Sequence, residues 1–291
     1  MTVGGLQTGV DLAALTTYKL GGRADRFLEA VTVQDLLGVT PVEGQVLIVG
    51  RGSNLVIADE GFPGLVIRLG SGFGHIELVA GGGVVAGGSA PLPAVARSAA
   101  RWGRSGLEWM VGVPGSVGGA VRMNAGCFGR DIAASMIEAT VVDVRTGTLR
   151  SVTPSQLGMA YRHSEIRVDD VVISSRFSTV QGDKTKVEAA MREITRWRRD
   201  HQPGGTLNAG SVFKNPPGDA AGRIIDDLGL KGFRVGGVAV SEKHANFMVA
   251  DPSASARDVW ELVHRVRLAV REATGIDLQP EIQFAGFEER P

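Results

Sequence analysis

Apolar residues along the chain follow two different spacings. Segments 45–50 (QVLIVG) and 64–69 (GLVIRL) are short continuous apolar runs bounded by glycine, which indicates buried strands. From Leu92 to Ala100 the apolar positions recur at helical spacing, and Gly103 follows them. That stretch therefore predicts a helix that ends at the glycine.

The middle of the chain predicts a hairpin, a short helix and a strand. Segments 139–144 and 149–153 flank Arg-Thr-Gly-Thr as the arms of a hairpin would. Thr153 before Pro154 is typical of a helix start with proline at the first helical position. Residues 171–180 (VVISSRFSTV) predict a further strand.

A long amphipathic helix is predicted from Asp183 onward, because the apolar stripe from Val187 to Trp197 repeats at helical spacing. The sequence His-Gln-Pro-Gly-Gly at 201–205 breaks the pattern. This break is the best candidate for a domain boundary.

The C-terminal part again mixes helices and strands. It predicts a helix near 219–228 and strands near 235–240, 246–250 and 276–287. The capping-box spacing of Ser255 and Asp258 predicts the start of a last long helix, and Gly275 is suited to its C-terminal cap. Because helices and strands do not alternate regularly, the predicted fold class is α+β.

Composition adds one distinctive feature, an excess of glycine. The 291 residues include 41 glycines, about twice the usual share of about 7%. No Gly-X-Y period is present, which excludes collagen, and 43% of residues are apolar, enough to fill a core. The glycines therefore indicate a globular protein whose backbone often turns tightly or approaches a ligand closely.

Charge, cysteine and histidine content exclude several classes. Lys and Arg total 31, as do Asp and Glu, so no sequence-independent binding to nucleic acid is expected. The single Cys127 excludes an internal disulfide, and the five histidines lack metal-ligand spacing, so no metal site is expected. The N-terminus lacks a signal pattern, and the uncharged run 78–96 is punctuated by glycine and proline. A cytoplasmic protein without a membrane span is therefore expected.

Two glycine-rich segments are candidate ligand loops. Gly50-Arg51-Gly52-Ser53-Asn54 follows a strand and could turn consecutive N–H groups toward a phosphate, although an ordinary turn between strands remains possible. Segment 112–126 is rich in Gly and Pro and offers Ser116 and Asn124 as sparse donors. It suits backbone laid along an extended ligand, although a strand–helix packing corner would share this composition.

Standard nucleotide and hydrolase motifs fit poorly. Leu55 stands where the dinucleotide fingerprint beginning at Gly50 requires its third glycine. The chain contains no P-loop pattern and no G-x-S-x-G elbow. Any bound dinucleotide is therefore expected on a scaffold other than the Rossmann fold.

Seven segments together resemble the UDP-N-acetylenolpyruvoylglucosamine reductase family along almost the full chain. Each is weak alone, but their order and spacing are specific. They are TTYKLGGRAD (16–25), VGRGSNLV (49–56), GLEWMVGVPGSVGGAVRMNAGCFG (106–129), YRHSEIR (161–167), NAGSVFKNP (208–216), GLKGFRVGGVAVSEKHANFMV (229–249) and PEIQF (280–284).

The resemblance implies an FAD-binding domain of the vanillyl-alcohol-oxidase (PCMH) type and a C-terminal α+β substrate domain. The implied bounds are 1–72 for the first FAD-binding lobe, 73–200 for the second lobe and 201–291 for the substrate-binding domain. No extra segment lies between Arg162 and Ser211, as in the shorter second type of this family. Ile166 and Phe128 differ from the residues that are usual in this family. These two differences affect the packing around each side chain.

The resemblance also implies the reaction, in which NADPH and non-covalent FAD reduce the enolpyruvyl ether of a UDP-sugar during peptidoglycan precursor synthesis. Flavin N5 would give the hydride, Ser211 the proton, and Arg162 and Glu281 would stabilise developing charge. A monomer is expected. Two alternatives stay open: an alcohol or lactone oxidase of the same flavin fold, and a binding module without catalysis.

The implied binding residues fall into two sets. Those expected to bind the cofactor are Gly50, Arg51, Gly52, Ser53, Asn54, Val113, Pro114, Gly115, Ser116, Gly119, Asn124 and Ile173. Those expected to contact the substrate are Tyr161, Lys214, Asn215 and His244.

Overall fold

The computed structural model describes residues 5–291, which form two compact units. Within this range, unit 1 comprises 5–8, 26–51 and 64–197, and unit 2 comprises 9–25, 52–63 and 198–291. The boundary predicted at 200/201 lies close to the last crossing at 197/198, whereas the division predicted at 72/73 falls inside unit 1. The three-lobe division stays a prediction.

The strands are mostly short. In chain order they are β1 Val10–Asp11, β2 Arg23–Ala30, β3 Gln45–Val49, β4 Leu55–Ile57, β5 Phe62–Leu69, β6 Ile76–Leu78, β7 Val84–Gly87, β8 Arg104–Ser105, β9 Gly126–Cys127, β10 Arg130–Asp131, β11 Met136–Asp143, β12 Leu149–Val152, β13 Asp170–Phe177, β14 Val180–Gln181, β15 Arg234–Val235, β16 Val238–Val240, β17 Met248–Ala250 and β18 Gln283–Ala285.

Within the described residues, six α-helices accompany the strands, together with several short 3-10 helices. The helices are α1 Val33–Gly38, α2 Leu92–Arg101, α3 Val117–Met123, α4 Lys184–His201, α5 Ala221–Asp227 and α6 Ala256–Thr274. None of the helices in residues 5–291 combines the length and apolar character needed to cross a membrane.

Unit 1 is built around the sheet β12-β11-β13-β7-β6, in which every neighbouring pair is antiparallel. One face carries Ala86, Ala139 and Val172, which pack with the apolar sides of α2 and α3 in one core cluster. Alternate residues such as Val171 and Ile173 belong to a second cluster on the other face. The period of two along β13 thus fills two cores.

The second core of unit 1 also takes in the parallel pair of β3 and β5. Leu65 and Ile67 of β5 and Leu36 of α1 are buried in it with Val171. Helix α1 begins with a capping box, because the Thr32 hydroxyl accepts from Asp35 N–H while the Asp35 carboxylate accepts from Thr32 N–H.

Unit 2 contains α5, α6, the antiparallel sheet β15-β16-β17 and the parallel pair β4–β18. The apolar stripe of α6, including Val259, Leu262 and Val266, packs in one buried cluster with Tyr18. The Tyr18 hydroxyl donates to the Met248 carbonyl at 3.0 Å. Burial raises the pKa of Tyr18, so the phenol stays protonated.

Most predicted elements are confirmed, and three are wrong. The strand predicted near 235–240 is a hairpin of two short antiparallel strands, β15 and β16. Residues after Thr153 form only a turn, held by the Leu157 N–H bond to the Thr153 carbonyl at 3.1 Å, and no helix follows. The predicted tail strand shrinks to Gln283–Ala285. Pro280 has no N–H to give to a ladder, so the backbone around it makes only an isolated bridge to Phe213.

The capping box of α6 generates a stability prediction. Ser255 Oγ accepts from Asp258 N–H at 3.0 Å, and Asp258 Oδ2 accepts from Ser255 N–H at 3.0 Å. Ser255→Ala should therefore cost about 1 kcal/mol and lower the midpoint of thermal unfolding by about 2 °C. Ser253→Ala, outside the helix, is the control. Equal midpoints for the two variants would contradict the capping role.

Candidate functional site

In unit 1, the end of the first glycine loop lies against the second. Arg51 Nε donates to the Pro114 carbonyl at 3.2 Å. A Cβ built on Gly50 would lie 2.5 Å from the Ser116 hydroxyl oxygen. Only glycine allows this approach of the two loops without a shift.

Segment 112–126 is itself anchored by backbone bonds to segment 88–92. Leu92 N–H donates to the Gly115 carbonyl at 3.1 Å, and Gly118 N–H donates to the Gly88 carbonyl at 2.9 Å. Ser116 is 2% exposed, and its hydroxyl accepts from Gly119 N–H at the start of α3. Val113 N–H bonds back to Met110, so the loop backbone is held in place from several sides.

Several backbone N–H groups of these loops have no acceptor within residues 5–291. In unit 1 they are those of Arg51, Gly115 and Ser116, and in unit 2 those of Gly52 and Ser53. Gly52 is buried and left-handed at φ +62°, and a Cβ there would strike the Leu15 carbonyl. Gly52 and Ser116 are buried, and buried N–H groups are rarely left without an acceptor, so these positions suit an anionic ligand.

Asn54, expected beside the cofactor, has a structural bond in unit 2. Its amide Nδ2 donates to the Glu281 carbonyl at 3.0 Å, and its own carbonyl accepts from Gln283 N–H at 3.0 Å. Asn54 therefore holds the backbone on both sides of Ile282. Its role as a cofactor contact stays a prediction.

Asn124 of unit 1 is buried, 1% exposed, and left-handed at φ +42°. Its Nδ2 donates to the Ala160 carbonyl at 2.8 Å and to Asp131 Oδ2 at 3.2 Å, while its Oδ1 accepts from Ala133 N–H at 2.9 Å. Both amide hydrogens are thus used within the protein. These hydrogen bonds explain why Asn124 is buried where it is. Its place beside a flavin stays a prediction.

Arg162 sits in the turn that Asn124 holds. The residue is left-handed at φ +53°, and its Nη2 donates to the Gly126 carbonyl at 2.8 Å. The guanidinium carbon lies 5.1 Å from the centre of the Tyr161 ring, and that ring is 54% exposed. Ile173, in contrast, is a core residue whose carbonyl accepts from Gly88 N–H at 2.7 Å.

In unit 2, the structure brings the backbones of Ser211 and Glu281 together. Glu281 N–H donates to the Val212 carbonyl at 2.7 Å. Glu281 lies before β18, whereas the sequence predicted that it lies within a strand. The strand begins later because Pro280 interrupts the ladder. No group within residues 5–291 hydrogen-bonds to the Ser211 hydroxyl, which is half-buried.

Asn246 is a residue that the sequence analysis missed. It is 4% exposed and clamps the Phe213 backbone, accepting from its N–H at 2.9 Å and donating to its carbonyl at 2.8 Å. Its own carbonyl accepts from Val212 N–H. The available signal was an asparagine in the otherwise apolar run 245–250, where a buried amide needs partners.

The predicted substrate contacts of unit 2 have different surroundings. Lys214 is half-buried, and no carboxylate within residues 5–291 pairs with it. Asn215 Oδ1 accepts from Ala221 N–H at 3.0 Å, at the start of α5. His244 packs edge-on against Phe247, with ring centres 4.9 Å apart, and its Nδ1 accepts from Asn246 N–H.

Burial lowers the pKa of His244, and the charge of Lys231 lowers it further, against the opposing effects of a backbone hydrogen bond and of Asp226. His244 is therefore neutral at pH 7. Elsewhere in residues 5–291, no group of three or more His, Cys, Asp or Glu side chains could hold a metal ion.

The lowered pKa of His244 generates a pH prediction. The unfolded chain binds the proton more readily, so stability is present above about pH 6.5 and falls as the pH drops through the folded-state pKa. The urea midpoint should fall between pH 7 and pH 5. His244→Asn should reduce that fall, whereas the exposed control His163→Asn should not. Equal slopes for both variants would refute the prediction.

Comparison with known proteins matches both parts of the chain to family models. Residues 32–153 match an FAD binding domain, and residues 202–285 match the C-terminal domain of UDP-N-acetylenolpyruvoylglucosamine reductase. These matches confirm the predicted α+β fold class, with an FAD-binding domain followed by a C-terminal domain. The share of the chain that they cover exceeds half.

Individual relatives match over nearly the whole chain. The UDP-N-acetylenolpyruvoylglucosamine reductase 2 of Symbiobacterium thermophilum is 42% identical, covering 93% of this chain and 89% of the relative. The reductase of a Synechococcus species is also 42% identical, covering 97% and 94%. The crystal structure of the Thermus caldophilus enzyme superposes with a TM-score of 0.85 at 36% identity, covering 97% of this chain and 99% of that one. The chain therefore belongs to the UDP-N-acetylenolpyruvoylglucosamine reductase family.

Proposed function

We propose that this protein uses NADPH to reduce the enolpyruvyl ether of UDP-N-acetylglucosamine to UDP-N-acetylmuramate in peptidoglycan precursor biosynthesis. Membership of the reductase family supports the overall reaction. The observation that carries the catalytic assignment is the 2.7 Å bond between Glu281 N–H and the Val212 carbonyl, which holds the Glu281 segment beside the Ser211 segment.

The glycine loops fit an FAD diphosphate. The N–H groups of Arg51, Gly115 and Ser116 have no acceptor among residues 5–291, and a side chain at Gly50 would collide with Ser116 Oγ. Backbone N–H groups without a protein partner can bind a phosphate, because together they offer several donors. FAD, when bound, would supply the hydride chemistry, with NADPH as the electron source.

Arg162 and Glu281 would stabilise the negative charge that develops on the enolpyruvyl group during reduction. The Gly126 carbonyl bonds one guanidinium nitrogen of Arg162, which orients the remaining N–H donors. Glu281 would act through a shared proton, with its backbone fixed by Val212 and Asn54. Donors that are oriented before the reaction stabilise a transition state most strongly, because they need no reorganisation.

Ser211 would deliver the proton that completes the reduction. Its hydroxyl has no hydrogen-bond partner within residues 5–291, so it can turn toward a bound substrate. Its backbone is fixed, because Asn246 clamps the adjacent residues. A weakly acidic hydroxyl serves as a general acid when the accepting carbon carries developing negative charge.

The remaining predicted contacts would bind the nucleotide sugar. The Lys214 ammonium, which pairs with no carboxylate in the described range 5–291, suits a diphosphate. Neutral His244 would act as a hydrogen-bond donor through Nε2, since Nδ1 already accepts from Asn246. Tyr161 would shape the pocket beside Arg162, and the exposed face of Asn215 would contact the same ligand. The enzyme would act as a cytoplasmic monomer.

Gly50→Ala tests the loop fit. The added methyl group would lie 2.5 Å from Ser116 Oγ and force the two loops apart, so the Kd for FAD should rise about tenfold or more, which is about 1.4 kcal/mol. Fluorescence titration of the apoprotein measures it. Gly204→Ala, where a Cβ meets nothing within 4 Å, is the matched control. An unchanged Kd for Gly50→Ala would exclude the proposed cradle.

Ser211→Ala tests the general acid. Reduction of the bound flavin by NADPH should proceed at the wild-type rate, because Ser211 takes no part in it. Turnover of the enolpyruvyl substrate should fall about a hundredfold or more. Stopped-flow absorbance of the flavin separates the two half-reactions, and Ser253→Ala is the control. If both half-reactions of Ser211→Ala stayed intact, another group would donate the proton.

A further inference from the structure

Left-handed backbone is concentrated around Arg162. Within residues 5–291, four non-glycine residues have clearly positive φ, and three of them are Asn124 (+42°), Phe128 (+52°) and Arg162 (+53°). Residues with a Cβ adopt this conformation only when surrounding contacts enforce it. At Arg162, two sets of contacts within unit 1 hold the left-handed backbone and the guanidinium.

The first set of contacts docks the turn that carries Arg162 onto the end of α3. Asn124 Nδ2 bonds the Ala160 carbonyl at 2.8 Å, and Ser164 Oγ donates to the Arg122 carbonyl at 2.7 Å. Ala160 and His163 exchange two backbone bonds of 3.1 and 3.0 Å within the turn. The backbone of Arg162 is therefore fixed from both sides.

The second set of contacts places the guanidinium. Its acceptor, the Gly126 carbonyl, belongs to the small β9–β10 hairpin, in which Cys127 pairs with Arg130 and Gly126 with Asp131. A Cβ on Gly126 would lie 2.7 Å from the Cβ of Asp131, so the two arms are in close contact. The position of the Arg162 head group thus depends on where this hairpin sits.

The hairpin tip contacts α4 through an aromatic pair. The Phe128 and Trp197 rings meet edge to face, with centres 5.3 Å apart and an angle of 83° between their planes. Phe128 is 47% exposed and Trp197 41% exposed. Side chains this exposed contribute little to the core, but edge-to-face geometry favours one relative placement of the two rings.

We propose that Phe128 and Trp197 are positioning residues for Arg162: their edge-to-face contact fixes the β9–β10 hairpin, and the Gly126 carbonyl of that hairpin orients the guanidinium toward the substrate. This inference rests on the proposed function, in which Arg162 stabilises charge on the enolpyruvyl group. The left-handed conformation of Phe128 has a separate cause, because Phe128 and Gly129 form the two-residue turn of the hairpin and both have positive φ.

The test compares Phe128→Ala, Trp197→Ala and the double variant. Each single variant should lower kcat about tenfold, equivalent to about 1.4 kcal/mol, with KM for the enolpyruvyl nucleotide sugar changed less than about twofold, because Arg162 acts in the transition state. The double variant should be no slower than either single variant, because each substitution already removes the same Phe128–Trp197 contact. Flavin reduction by NADPH should keep its rate.

Phe128→Tyr should keep the wild-type kcat, because tyrosine retains the aromatic ring that contacts Trp197. Leu149→Ala, which removes another exposed apolar side chain of unit 1, is the matched control and should leave kcat unchanged. A second readout uses the FAD-free protein: amide hydrogen exchange across 126–131 should speed up in both alanine variants and not in Leu149→Ala.

The outcomes separate the inference from the function. If the wild-type enzyme failed to reduce the enolpyruvyl sugar nucleotide, the proposed function would fall, while the exchange measurement would still decide whether the aromatic pair fixes the hairpin. If the wild type were active but the alanine variants kept their kcat, or their exchange were unchanged, the positioning role would be wrong. Equal slowing of both half-reactions would show a general structural defect and overturn it as well.

Discussion

The carboxamide of Asn124 is the interaction on which the arrangement around Arg162 depends. It joins three parts of unit 1, because it ends α3 in a left-handed cap and bonds both the Ala160 turn and the Asp131–Ala133 segment. An asparagine is suited to this place because its short side chain tolerates left-handed backbone and carries two donors and an acceptor. Because every polar atom of the Asn124 amide is hydrogen-bonded, its burial leaves none of them unsatisfied.

The glycine excess has a steric explanation at particular positions. Gly118 lies so that a Cβ would be 3.1 Å from the Val172 carbonyl of the sheet, which lets α3 begin directly against β13. Gly50 allows one loop to reach Ser116 on the other. At Gly50 a side chain would have to displace the Ser116 hydroxyl, and at Gly118 it would make an unusually tight contact with the sheet backbone.

Helix positions were predictable because their signals are local. The capping box of Ser255 and Asp258 and the left-handed Gly275 at φ +76° enclose α6 as their spacing indicates, and the apolar stripe beginning at Val187 forms the buried side of α4. The helix predicted after Thr153 is absent because the segment closes as a turn at the left-handed Gly158, with Leu157 and Met159 N–H groups bonded to the Thr153 and Pro154 carbonyls. The predicted tail strand is short because Pro280 has no N–H for a continuous ladder, so the chain makes an isolated bridge to Phe213 and pairs with β4 only from Gln283 onward.

The sequence by itself determined the fold class, the family and the identity of the candidate catalytic residues, since periodicity, caps and ordered motifs are all read along the chain. Tertiary structure alone decided which groups hold those residues. Asn246 clamps the Phe213 backbone next to Ser211, and Asn54 bonds the carbonyl of Glu281 from 227 positions away. Such partners meet only after folding, because a buried amide or carbonyl takes whichever polar group the packed chain brings within reach, and no local pattern specifies it.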